Sequence, residues 1–291
     1  MNKKLLLTAL ITAVAVGATA GSADAGYSTP DKYGVVSSVF NPAYRPLQDD
    51  WALQTGFAFR TGRDADETNM NSFSSGDFMV DDFRVAYGIM DELYVSIDVH
   101  SNTFELSPYT DHFIIGGFAN PELGVNWQIM RPAKSFALDV IGKYGAAWTK
   151  YAGTDIRIGM NNLQAGFRIY GDEGRFQWAA QSLAQMAWTP EFITESDTMW
   201  NLLSRVELEF EIVEKVGLRG EFNFNVYDLG ENLGESAFYD MYAQLGLVVD
   251  VMPGVAAIQP YVGYHPKTAV TGSPNLPNNY WQIGAKFGVQ F

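Results

Sequence analysis

The chain has 291 residues, with 33 acidic against 19 basic side chains, a formal net charge of −14 and no cysteine. That balance argues against nucleic acid or an anionic surface as partner, since both need a cationic footprint, and the lack of cysteine excludes a disulfide scaffold. Aromatic residues reach 14%, yet past the N-terminal stretch no apolar run attains the length of about 18 residues needed for a helical membrane span, which leaves a soluble β-protein or a membrane barrel.

Lys3 and Lys4 precede an apolar stretch from Leu5 to Val16 and a small-residue site at Ala23, Asp24 and Ala25, the pattern of a secretory signal peptide over residues 1–25. A membrane-anchoring helix fits less well, because the stretch dilutes into Gly17, Thr19 and Gly21 before reaching a spanning length of about 20 residues. Cleavage after Ala25 would remove two lysines and one aspartate and move the formal charge from −14 to −15. Residues 26–50, with Pro30, Pro42 and Pro46, alternate only weakly and are expected to form a periplasmic leader into a barrel over residues 51–291.

From Trp51 onward, period-two alternation predicts about twelve strands. Trp51, Leu53, Thr55, Phe57 and Phe59 alternate with Ala52, Gln54, Gly56, Ala58 and Arg60, so one face suits lipid and the other water. Met79, Phe83, Val85, Tyr87 and Ile89 form a second apolar row, broken by Asp81 near the expected outer end. Later, Trp200, Leu202, Val206, Leu208, Phe210 and Ile212 alternate with Asn201, Arg205, Glu207, Glu209 and Glu211, and Leu218, Phe222, Phe224 and Val226 with Arg219, Glu221, Asn223 and Asn225.

The separations between strands alternate too. Short turns are expected around 90–92, 131–134, 171–175, 214–215 and 252–254, and long polar connections around 61–77, 101–121, 146–160, 189–197, 228–236 and 266–277. Short turns on one side and long loops on the other are characteristic of bacterial transmembrane barrels. A β-sandwich predicts the same alternation with its apolar face inside, but gives no reason for the loops to alternate in length. Tyr87, Tyr94, Tyr170 and Trp178 lie beside short turns, where an interfacial aromatic girdle is expected.

The final run, Trp281, Ile283, Ala285, Phe287, Val289 and Phe291, interleaves with Gln282, Gly284, Lys286, Gly288 and Gln290. It resembles the closing strand of Gram-negative outer-membrane β-barrels. The hairpin around Tyr87 to Ile97 and the segment Asn120, Pro121, Glu122, Leu123, Gly124 are similar to those of porin-type barrels. The resemblance implies an all-β, antiparallel up-and-down transmembrane barrel of about twelve strands with periplasmic termini. It also implies an outer-membrane location in a Gram-negative bacterium, lipid and lipopolysaccharide as surroundings, and Phe291 as the signal read by the barrel assembly machinery.

The polar faces define the lumen candidates: Asp82, Arg84, Asp98, His100, Lys143, Arg205, Glu207, Glu209, Arg219, Glu221 and Lys286, with Glu122, Asp139, Glu211 and Arg168 beside them. Matching residues across short turns places Arg84 opposite Asp98, Asp82 opposite His100, Glu122 opposite Lys143, Asn126 opposite Asp139, Glu209 opposite Arg219 and Glu207 opposite Glu221. Such rows either neutralise one another as structural ion pairs or line a wetted pore whose charges tune selectivity. Eight strands give a filled interior and 16 to 18 an aqueous channel, so about twelve leaves both open. The apolar patch from Phe113 to Gly117 in the long loop 101–121 would narrow the lumen if it folded inward.

The expected function is a narrow porin-like channel for passive passage of small hydrophilic solutes. A closed structural or surface-binding barrel using its long extracellular loops is the alternative, and a membrane-embedded hydrolase a weaker one. His100 and Ser101 are adjacent, so in a regular strand they point to opposite faces and do not make a nucleophile and base. No metal or cofactor motif is present. Asp64, Asp66 and Glu67 read as a solvated acidic loop tip, since their spacing does not complete an EF-hand.

Overall fold

The computed structural model describes residues 39–61, 77–99, 105–106, 113–114, 121–133, 135–146, 161–188, 198–227, 229, 238–252, 255–266 and 280–291. In chain order the strands are β1 (Trp51–Thr61), β2 (Asp77–Met90), β3 (Leu93–Val99), β4 (Glu105–Leu106), β5 (Phe113–Ile114), β6 (Glu122–Ala133), β7 (Phe136–Gly145), β8 (Asn161–Asp172), β9 (Phe176–Trp188), β10 (Thr198–Val213), β11 (Val216–Tyr227), β12 (Phe238–Met252), β13 (Ala256–His265) and β14 (Tyr280–Gln290).

All but β4 and β5 close into one twelve-stranded barrel in which sequence neighbours pair antiparallel and β1 pairs β14. Phe291 completes the seam: its backbone exchanges two hydrogen bonds with that of Trp51, at 2.8 and 3.0 Å. Closure leaves no unpaired strand edge, as a chain in lipid requires. The short turns and long connections fall where the alternation predicts them. β4 and β5 form a small separate ribbon inside the connection between β3 and β6. Residues 115–117 of the expected apolar patch lie outside the described residues.

The burial pattern is that of a barrel and opposite to that of a sandwich. Large apolar side chains such as Phe57, Leu123, Trp127, Leu163, Val206, Leu245 and Ile283 are exposed on the outer face, whereas Asp98, Glu122, Asp139, Gln164, Glu207 and Arg219 are buried inside. In water, an apolar outer surface of this extent would drive association; in a bilayer it is the face the solvent requires.

Three expectations need correction. A bulge at Thr55 and Gly56 makes Asp82 the extra residue of β2, so Asp81 sits across from Gly56 and Val80 across from Phe57. In the β6–β7 hairpin, irregularities after Gln128 and Met130 displace the register, so Glu122 faces Gly145, Lys143 faces Gly124 and Asp139 faces Gln128. Tyr94 and Tyr170 are no girdle residues: each is only 2% exposed and points inward. Tyr87 does face outward, tilted against Trp51 with ring centroids 4.7 Å apart.

Candidate functional site: a charged lumen with a polypeptide floor

The twelve strands carry their inward positions toward two ion-pair clusters on different sectors of the wall. On the first, Arg84 of β2 and Asp98 of β3 are register partners, with Arg84 Nε 3.2 Å from Asp98 Oδ1. Lys143 Nζ of β7 approaches Asp98 Oδ2 at 3.0 Å and Glu122 Oε2 at 3.6 Å. Gln164 donates to Glu122 at 2.6 Å, and Ser96 donates to Asp98 at 3.2 Å.

On the second sector, Arg205 Nη2 of β10 lies 2.7 Å from Glu207 Oε1 and 2.8 Å from Glu221 Oε2. Arg219 Nη2 of β11 also donates to Glu207 Oε1 at 2.7 Å, and Arg168 Nη2 of β8 lies 3.9 Å from Glu207 Oε2. The register does set Glu209 across from Arg219 and Glu207 across from Glu221, but the guanidinium of Arg219 turns to Glu207. Glu209 is buried beside Gly217, close enough that a methyl group at Gly217 would crowd its carboxylate. Lys286 of β14 extends over the Tyr261 ring at 5.3 Å. Asp82 belongs to β2 at the bulge, and its side chain lies outside what is described, as does His100.

The part of the lumen that the strand pattern does not anticipate is its floor. Residues 26–50 are expected as a periplasmic leader into the barrel, and the described portion of that segment folds into the interior at the short-turn end. Val39 and Phe40 pack with Ala52, Ala86, Tyr94, Val248 and Ala257, and Ala43 packs against Ala137, Tyr170 and Ala179.

Polar contacts fix the segment. Arg45 Nη1 lies 3.7 Å from Asp139 Oδ1 and donates to the Tyr170 hydroxyl at 3.3 Å. Gln54 donates to the Val39 carbonyl at 2.7 Å, and Arg168 donates to the Pro42 carbonyl. Asp49 N–H donates to the Gly88 carbonyl at 2.9 Å. Burial pushes the Tyr44 phenol above its ordinary range, and the nearby Asp50 carboxylate adds to the shift.

The wall makes room for this segment with small residues. A methyl group at Gly88 would overlap the Leu47 carbonyl, and one at Gly288 would overlap Val39. Ala52, Ala86, Ala137, Ala179 and Ala257 occupy further inward positions around it. These small inward residues are the sequence signal for a floor, legible only once the lumen face of each strand is known.

Above the floor is a cavity of about 130 Å³ lined by Tyr44, Arg84, Asp98, Lys143, Arg168, Arg205, Glu207, Arg219 and Lys286 among others. It is polar and charged, with no nucleophile-and-base arrangement among the described residues lining it. It can hold water and small polar solutes, and the charges on its wall can distinguish ions.

No protein-family model matches the chain, and no curated protein matches its sequence. Solved structures do match the fold. An outer membrane channel from Pseudomonas putida F1 superposes with a TM-score of 0.59 at 11% identity, covering 88% of this chain and 100% of that one. The NanC porin superposes with a TM-score of 0.51 at 11% identity, covering 81% of this chain and 98% of that one. The chain therefore has the fold of outer-membrane channel barrels.

Proposed function

We propose that the protein is a narrow outer-membrane channel of a Gram-negative bacterium that passes small hydrophilic solutes passively. The observation that carries this reading is the charged cavity enclosed by a barrel whose outer face is apolar, a combination that suits a polar path through lipid. The solved structures of like fold are described as a porin and as an outer membrane channel, which supports the same reading. Membrane lipid and lipopolysaccharide would surround the barrel, and Phe291, 74% exposed, would serve as the signal for the assembly machinery. The lumen residues act here as wall charges, so the protein is proposed to be no enzyme.

The floor formed by residues 39–48 favours a second reading, a barrel closed at its short-turn end. Swelling of liposomes containing the full chain separates the two. The channel reading expects entry of a pentose and much slower entry of a tetrasaccharide, whereas entry of neither sugar supports the closed barrel.

A further inference from the structure

The cavity is cationic in a chain that is strongly acidic. Among its described lining residues are six bases and two acids, against a net charge of −14 for the whole sequence. The wall also sorts its charges by depth. The side chains of Asp98, Glu207 and Glu221 are 7%, 11% and 5% exposed, whereas those of Arg84 and Arg205 are 34% and 36% exposed. The carboxylates thus lie beneath the guanidinium groups that they hold in place, and what a solute meets is the guanidinium.

Arg84 on β2 and Arg205 on β10 stand on opposite walls. In the closed strand order β2 and β10 are six strands apart whichever way the barrel is followed. Both line the one cavity. Two like charges facing each other across a lumen are held apart at an electrostatic cost that an anion placed between them relieves. Guanidinium is also the group best matched to a carboxylate, because its planar donors pair with both oxygens.

We propose that Arg84 and Arg205 form an anion-selecting site that takes small carboxylates and rejects cations. This rests on the channel reading for its role in passage but not for its existence as a binding site. Anion preference therefore follows the exposed cations of the cavity and not the summed charge of the chain, which would draw cations.

The test is the reversal potential of the full chain in planar bilayers under a potassium chloride gradient, for the unaltered protein and three variants. The unaltered protein is expected to pass chloride in preference to potassium. Arg84→Gln, which leaves Asp98 its contact with Lys143, is expected to lower the chloride-to-potassium ratio by about twofold or more, and Arg84→Lys to keep most of it. Arg205→Gln combined with Glu221→Gln leaves the summed charge unchanged, and Glu207 keeps its contacts with Arg219 and Arg168. It is expected to lower the ratio as Arg84→Gln does.

Cation preference in the unaltered protein, or an unchanged ratio in the paired variant, overturns the inference while leaving the channel reading intact. Absence of any current overturns the channel reading, and the inference is then decided by calorimetric titration of the folded protein in detergent. Binding of succinate but not of succinamide, weakened about tenfold by Arg84→Gln through loss of a charge-assisted contact, supports it; no succinate binding overturns it.

Discussion

Arg45, on the segment inside the barrel, lies 3.7 Å from Asp139 of β7, and both side chains are almost wholly shielded from solvent. The pair joins the floor to the wall. Removing one partner of such a buried pair typically costs about 3–5 kcal/mol, because the other charge is left uncompensated. Arg45→Ala is therefore expected to release the floor, raising single-channel conductance and lowering the unfolding temperature measured by circular dichroism. Adding Asp139→Asn should recover much of the thermal loss while the lumen stays open. Unaltered conductance and unfolding in Arg45→Ala would show that the segment is held elsewhere.

The Arg84 and Asp98 pairing is legible from the sequence because the β2–β3 turn is tight and the irregularity between Gly88 and Met90 leaves the register beyond it centred on Asp91. Its energetic isolation is not, since Asp98 is shared with Lys143 of β7. Exchanging the two charges, Arg84→Asp with Asp98→Arg, would set the new arginine against Lys143. The exchange is expected to be no more stable than Asp98→Arg alone in urea unfolding from lipid vesicles. Substantial rescue by the exchange would mean that the Lys143 contact contributes little.

Period two assigns most side chains to a face, and together with the alternation of loop lengths it points to a barrel of about twelve strands. What spacing does not give is the consequence of a bulge. The extra residue at Asp82 and the irregular β6–β7 turn each alter register, and Gly56 at the first and Pro132 within the second mark an irregularity without giving the resulting register. The floor is hidden for another reason: residues 39–48 have no regular period, and their partners, many of them glycines and alanines, are spread over the whole barrel. Tyr94 and Tyr170 show the same limit, because nearness to a turn suggested an interface whereas their parity on the strand places them inside.

Tyr44 gives the floor a pH dependence. Its folded-state pKa is raised by burial, so the contribution of the neutral phenol is fully present below the ordinary tyrosine value of about 10 and is lost as the pH rises above it. Conductance is expected to increase above about pH 10 as the segment loosens. Tyr44→Phe, which cannot ionise, should remove that rise. A rise of the same size in Tyr44→Phe would assign it to another group.

Val206 faces outward between the inward-facing Arg205 and Glu207. If the outer face meets lipid, Val206→Arg should destabilise the folded state in vesicles by up to about 2–4 kcal/mol, the cost of a cation near the bilayer midplane. The measure is the shift of the urea unfolding midpoint in vesicles. No shift would place that face in water.

The most direct test of a narrow channel is single-channel recording of the full-length, folded protein in planar bilayers. The account predicts small, reproducible current steps that grow when Arg45→Ala frees the floor. Properly folded protein that inserts yet carries no current, with or without Arg45→Ala, would contradict it.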